Sequence, residues 1–484
     1  MTEEAWLDLQ KENAELKAAL AQKEQRIQEL EGLLMGALLR VEELERRFAK
    51  DSHNSSLPPS RDHGTRKPLG KRPKSQKRSG GQQGHQGHTL MLAKTPDEVL
   101  IHRPASCPSC QTDLREQPGV IVERRQVHDV PTWRLQVWEH QVEAVCCPGC
   151  QQRIRGHFPA SVSAPVQYGP GVQALAVYLS QSQLVPVQRT CETLADLFEA
   201  PVSQASVLEW VGRAGERLAS RVEQIAQWIE RAAVMHVDET SVHLRGKVHW
   251  IHVHSTARLT LYRWHAKRGT EGIQAVSLVP GYRGRMMHDR WTSYDRYPCA
   301  HSLCGAHLIR DTLFVAEHEQ QPWASRMVEH LRQMDHVSNQ WREQGARHLP
   351  AEVRQELLAE YFDILRTGYA AHAGQPPPPK KAGRRKQNPS LNLLDTFLKR
   401  AEHILGFLDD LCIPFTNNLA ERDLRMIKVQ QKISGTFRSP DGITAFCALR
   451  SYLSTMRKQG RPLLSALRAV FVGTPFPIAW QPGT

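Results

Sequence analysis

Between Arg231 and Tyr262 the chain reads RAAVMHVDETSVHLRGKVHWIHVHSTARLTLY. An apolar run from Ala232 to Val237 ends in two adjacent acids, Asp238 and Glu239. Two further segments rich in Val, Ile, Trp and Tyr follow, with Gly246 between the first pair. Further on, the apolar start of GRMMHDRWTSYDRY ends in another acid, Asp289. Two like charges held together are costly unless a cation lies between them. Hard divalent ions such as Mg2+, or Mn2+ in its place, take carboxylate oxygens. A pair of them about 3.5–4 Å apart clamps the attacking and leaving oxygens of an in-line phosphoryl displacement. A third acid comes from IPFTNNLAERDLR, where Asn417 or Asn418 can N-cap a helix carrying Glu421, Arg422, Asp423 and Arg425. Arg422 and Arg425 share a face suited to gripping phosphates. Taken alone, Glu421 and Asp423 read better as a solvated helix face with local ion pairs.

A second group of residues points to a metal of another kind. CPSC spans Cys107 to Cys110 and CCPGC spans Cys146 to Cys150. Two Cys-x-x-Cys knuckles place four thiolates tetrahedrally around structural Zn2+, and the β-rich run between them would form the strands of a ribbon. The ligand set is Cys107, Cys110, Cys147 and Cys150; Cys147 has the right spacing to Cys150 and is preferred to Cys146. Redox-active or incidental cysteines are the alternative.

The elements that must position these groups are expected in several domains, because 484 residues are too many for one ordinary core. The mixed strand and helix pattern makes the chain multidomain α+β. Residues 1–50 carry heptads with Trp6, Asn13, Leu20, Ile27, Leu34, Val41 and Phe48 in one series and Leu9, Leu16, Lys23, Leu30, Ala37 and Leu44 in the other. This predicts a coiled coil and a homo-oligomer; a single amphipathic helix docked on its own protein is the other reading. Residues 51–95 form a basic arm without periodicity, carrying Arg61, Arg66, Lys67, Lys71, Arg72, Lys74, Lys77 and Arg78. Such an arm is either a solvated linker or a tether that contacts phosphates. The zinc-binding module occupies 96–160. A helical domain at 161–230 holds RTCETLADLFEAPVSQASVLEWVGRAGERLASRV, which suits a helix-turn-helix and equally a generic helical hairpin.

From residue 231 the order β-β-β-α-β-α-β-α matches the RNase H-like layout, three antiparallel strands followed by parallel ones. In that layout the ends of the first and fourth strands lie side by side, which sets Asp238 against Asp289. This catalytic domain is expected in two parts, 231–315 and 411–484, around a helical insertion at 316–410 with a Pro-rich linker. The net charge of +13 and pI near 9.4 favour a polyanionic partner, DNA or RNA. No apolar run is long enough to span a bilayer and the acidic N-terminus is unlike a secretory signal, so a cytoplasmic protein with no membrane partner is expected.

NSSLPPS followed by GGQQGHQGHTL, the paired CPSC and CPGC knuckles, HVDET, HDRWTSY then SLCGAHLIRD, and IPFTNNLAERDLR with SGTFRS beyond it together resemble a transposase of the insertion sequence 66 family, across almost the whole chain. The resemblance implies a bacterial, nucleoid-associated enzyme that cleaves transposon ends and joins them to target DNA, with small accessory proteins from the same element as further partners. It implies a DDE set at Asp238, Asp289 and Glu421 holding the catalytic metal. The family's Cys-x-x-His corresponds to Cys304 and His307, with Arg310 next, and Asn418 supports the third acid. Arg290 stands where the family has Gly, and Asp295 is the alternative second acid. An inactive DNA-binding regulator and an RNase H-like nuclease that only hydrolyses are the competing readings.

Overall fold

The computed structural model describes residues 3–50, 54, 90–130, 133–373 and 388–480. The basic-arm residues Arg61 to Arg78 and most of the Pro-rich linker, 374–387, lie outside the described residues. The first element is a 46-residue helix, α1 (Glu3–Phe48), uninterrupted because it contains neither Pro nor a β-branched run. Its heptad positions from Leu16 onward lie open to solvent: Leu20 is 59% and Ile27 54% exposed.

Two three-residue strands, β1 (Ala144–Cys146) and β2 (Arg153–Arg155), pair antiparallel around the second cysteine knuckle. The run from Val120 to Val145 was expected to supply the ribbon's strands; its last two residues enter β1, and its described residues before Ala144 form no ladder. Val120, Val122, Val127 and Val137 are exposed there, so these residues offer no buried apolar face to hold strands together.

Helices α2 (Pro170–Val177), α3 (Val187–Phe198), α4 (Gln204–Arg217) and α5 (Ala219–Glu230) follow. The turn between α3 and α4 has Glu199 in the left-handed region, and Ser203 caps α4 by accepting from the Ser206 amide at 3.1 Å. The buried face of α4, including Trp210 and Ala214, belongs to a core shared with the sheet. Its solvent face carries Leu208, Glu209 and Glu216.

The central sheet is built from β3 (Val234–Leu244), β4 (Lys247–Ser255), β5 (Thr260–His265), β6 (Arg285–His288) and β7 (Ala300–Leu303), with helix α6 (Thr270–Val276) between β5 and β6. Its order is β5-β4-β3-β6-β7. The first three strands meander antiparallel, and β6 and β7 run parallel to β3. Arg245 and Gly246 both take positive φ, 51° and 77°, which makes the two-residue turn whose twist matches a hairpin. β3 does not stop at Asp238, as the apolar run alone suggested; it continues to Leu244 because β4 pairs with it throughout. What stops near Asp238 is the parallel pairing with β6.

After β7 come α7 (Gly305–His318), α8 (Pro322–Glu343), α9 (Ala351–Ala371), α10 (Pro389–Lys399), α11 (Ala401–Asp409), α12 (Asn418–Ser434), α13 (Pro440–Lys458) and α14 (Leu463–Val472). α7 to α11 bury Trp323, Tyr361, Phe397 and Phe407 in one core with Met287 and Leu303 of the sheet. α12 and α13 close over Val242, Ile251, Val253 and Tyr262 on the hairpin. α1 meets this assembly through its C-terminal end, where Arg46 pairs with Glu319 at 3.4 Å and Lys50 lies 5.0 Å above the Phe314 ring.

The start of α7 is held very tightly. The Gly305 amide donates to Phe415 O at 2.8 Å, and a Cβ at this position would lie 2.1 Å from the Phe415 ring. Phe415 is itself buried against Phe407, ring centroids 5.0 Å apart. Gly305→Ala should therefore destabilise the fold by about 1–3 kcal/mol through overpacking, read as a lower urea midpoint. An unchanged midpoint would mean that the Phe415 ring is free to move.

Candidate active site

The register of β3 against β6 decides where the first two acids lie. Val234 pairs with Arg285 and His236 with Met287, a constant offset of 51 residues. Asp238 and Asp289 have the same offset of 51, so the register carries them level, just past the last laddered pair. Each carboxylate has one oxygen fixed by nearby backbone: Asp238 Oδ1 accepts from the Glu239 amide and Asp289 Oδ1 from the Trp291 amide, both at 2.8 Å. Burial, then the Glu239 and Asp289 carboxylates and more weakly Glu421, push the Asp238 carboxyl well above its usual range. Among the described residues none of the three acids pairs with Lys or Arg, and the Glu421 Oε1 atom is buried without a hydrogen-bond partner. Asp238, Asp289 and Glu421 do not bring one oxygen each within 4.8 Å of one another; Asp238 and Asp289, level by register and without a counter-cation, are where a hard divalent ion would sit.

Glu421 arrives on the first turn of α12, and two residues set that helix. Asn417 is buried, 1% exposed. Its amide Nδ2 donates to Val237 O at 2.9 Å, its Oδ1 accepts from His236 Nδ1 at 2.9 Å, and its backbone N–H donates to Cys304 Sγ at 3.1 Å. One residue thus joins β3 beside Asp238, the N-terminus of α7, and α12. Because Nδ2 faces a carbonyl, Oδ1 must accept, which fixes the proton of His236 on Nδ1. Burial holds His236 down at about 4, so it stays neutral. Asp423 locks the next turn: its carboxylate accepts from Ser255 Oγ at 2.6 Å, Thr260 Oγ1 at 3.0 Å and Lys458 Nζ at 2.7 Å. No local pattern announces this, since all three partners are distant along the chain. The support assigned to Asn418 belongs to its neighbour: Asn418 is exposed and starts the helix.

Cys304 and His307 adjoin Glu421. Cys304 is the N-cap of α7 and is buried, which pushes its thiol up to about 11. His307 Nδ1 stands 3.7 Å from Glu421 Oε1. Arg310, one turn on, is half-buried and forms no ion pair among the described residues. Asp295, the alternative second acid, is ion-paired with Arg400 and gathers with His288 and His301 instead. Arg290 pairs with Asp311.

Glu239, beside Asp238, is tied off from the acid pair. Arg268 contacts it at 2.6 Å and Tyr294 OH donates to it at 2.7 Å. The Arg268 guanidinium stacks on Trp250 and Trp291, 5.0 and 4.3 Å from the ring centroids. On α12, Arg422 and Arg425 are exposed and form no ion pair among the described residues, while Lys428 donates to Ser241 O at 3.1 Å.

The two cysteine knuckles are copies of one turn. Cys107 N–H donates to Thr112 O and Gln111 N–H to Cys107 O, both at 2.9 Å; Cys147 N–H donates to Gln152 O and Gln151 N–H to Cys147 O, both at 2.8 Å. Gln111 and Gln151 take the same positive φ, 60° and 62°. This correspondence makes Cys147, not Cys146, the counterpart of Cys107. Hydrogen bonds from Thr112 and then Cys107 lower the Cys110 thiol, and those from the Cys150 and Gly149 backbone, then the Cys150 thiol, lower Cys147. Each knuckle is formed, but among the described residues no three of the four sulfurs lie within 4.8 Å of one another.

Removing one charge from this crowded site should relieve it. Asp238→Asn is expected to raise the thermal midpoint of the metal-free protein by a few degrees, since a buried carboxylate beside two others is lost. Added Mn2+ should then stabilise the wild-type chain more than the variant. Equal Mn2+ shifts in the two proteins would contradict a cation at Asp238.

The comparisons with known proteins bear on this geometry. A family model described as a family of unknown function (DUF6444) matches residues 2–91. No curated protein matches the chain. The model described as the transposase IS66 family matches residues 165–445, from α2 through the sheet and its acids into α13. That is more than half of the chain, and the protein belongs to the IS66 family of transposases.

Proposed function

We propose that this transposase cuts the ends of its element and joins them to target DNA at Asp238, Asp289 and Glu421, using Mg2+ or Mn2+ in an RNase H-like fold. The single observation that carries the reading is the register that sets Asp238 level with Asp289, with Glu421 close enough to raise the Asp238 carboxyl. The sheet order, three antiparallel strands then two parallel, supports the RNase H-like assignment. Divalent cations bound there would stabilise the charge that develops on the attacking and leaving oxygens. The chain's own residues divide the remaining work. Asp238, Asp289 and Glu421 hold the cation, Glu239 is kept out of the set by Arg268 and Tyr294, and Arg422 and Arg425 face solvent where phosphates can be gripped. The net charge of +13 and the basic arm supply sequence-independent attraction to the DNA backbone.

Zn2+ on Cys107, Cys110, Cys147 and Cys150 is the structural part of the proposal. The identical turn at both knuckles supports it, and gathering the four sulfurs would close a module whose described residues form no apolar core of their own. The exposed apolar seam of α1 supports pairing with a second copy of the chain.

The acids are tested by Asp238→Asn, Asp289→Asn and Glu421→Gln in a strand-transfer assay with end DNA and Mg2+. Cleavage and joining should fall to background while end binding stays near wild type, because the electrostatic binding contribution is untouched. Near-normal joining by any one variant would remove that residue from the set, and cleavage without joining in the wild type would make the protein a nuclease.

The seam is tested by light scattering on the full chain, on a truncation lacking residues 1–50 and on Leu20→Glu. Both changes should lower the mass and impair paired-end joining more than binding to one end. The same mass in all three would exclude α1 as the assembly device.

A further inference from the structure

Two buried atoms next to the acid set have no partner. His307 Nδ1 and Glu421 Oε1 lie 3.7 Å apart, too far for a hydrogen bond, and each is buried and unsatisfied. Cys304 Sγ completes the group: it, a His307 ring nitrogen and a Glu421 oxygen all lie within 4.8 Å of one another. The arrangement follows from the fold. Cys304 caps α7 and His307 sits three residues on, so both face the first turn of α12, drawn in by the Asn417 amide on Cys304 Sγ at 3.1 Å.

Orphaned buried polar atoms need an explanation, and the spacing offers one. On a tetrahedral ion with Zn–N and Zn–O bonds of about 2.0–2.2 Å, two donors stand about 3.3–3.6 Å apart. The His307–Glu421 gap is within a few tenths of an ångström of that. The donor types also select the ion. Thiolate and imidazole favour zinc over Mg2+, and an N–H donated to sulfur supports the thiolate that a metal requires.

We propose that Cys304, His307 and Glu421 form a binding site for a thiophilic divalent cation, Zn2+ above others, distinct from the cation between Asp238 and Asp289. Binding releases the Cys304 thiol proton to solvent and forms the metal–sulfur bond; no oxidation state changes. Three protein donors leave a fourth position open to water or a phosphate oxygen. The site would tether Glu421 through Oε1 and leave its second oxygen free. Its link to the Asp238–Asp289 pair rests on the catalytic reading of Glu421, whereas the binding itself does not.

The test is the zinc content of the purified full-length protein, read without DNA so that it stands apart from any strand-transfer result. Cys304→Ser and His307→Gln should each lose about one equivalent per chain relative to wild type. A Cys107→Ser, Cys110→Ser double variant should lose a different one, and combining it with His307→Gln should remove both. Where zinc is lost from this site in purification, Co2+ titration of protein that keeps zinc at the cysteine knuckles reads it: a sulfur-to-cobalt charge-transfer band should appear in wild type, vanish in Cys304→Ser and weaken in His307→Gln. Should Cys304→Ser fail to fold, His307→Gln carries both readouts. Wild-type zinc content together with a wild-type Co2+ spectrum in folded His307→Gln would overturn the proposal.

Discussion

Asn417 is the residue on which the geometry of the site depends. Three carboxyl-bearing elements, β3, the end of β6, and α12, have to converge although their like charges repel. Asn417 binds two of them directly and reaches the third region through Cys304, whose own backbone N–H donates to His288 O at 2.9 Å. Each of these hydrogen bonds is buried, so leaving its partner unmade would cost about 1–3 kcal/mol. That penalty is what opposes the repulsion among the acids. Asp423 acts in the same sense one turn further along α12, where three donors converge on a single carboxylate and stop the helix from rotating on the hairpin.

The long helical segment between α7 and α12 fits the same constraint. More than a hundred residues separate Cys304 from Asn417, yet the Gly305 amide on Phe415 O brings the chain back to where it left. The close approach of Gly305 to the Phe415 ring makes this return specific, and the packed core of α7 to α11 makes it rigid. An inserted helical unit that starts and ends at one point leaves the spacing of the acids unchanged.

The sequence pattern makes some of this visible and hides the rest for physical reasons. Apolar runs ending in acids place Asp238 and Asp289 on neighbouring strands, and their 51-residue separation equals the strand register. Strand boundaries were less legible: β3 runs on past Asp238 because pairing with β4, rather than local hydrophobicity, sets its length. Asn417 and Asn418 are indistinguishable as caps from local chemistry, and only contacts 180 and 181 residues away give Asn417 its role. Asp423 looked like a solvated helix acid for the same reason, its hydroxyl partners lying 168 and 163 residues back. The Trp250–Arg268–Trp291 stack around Glu239 gave no local signal either, since its parts meet only when β4, the loop before α6 and the loop after β6 are assembled.

On the proposed reading, the acids at the ends of these elements share a divalent cation. Anomalous diffraction from crystals of the full chain grown with Mn2+ tests it most directly. A manganese peak is expected between the Asp238 and Asp289 carboxylates, within coordinating distance of both and on the side facing Glu421. Manganese bound only elsewhere, with the Asp238 and Asp289 carboxylates bridged by water or turned away from each other, would contradict it.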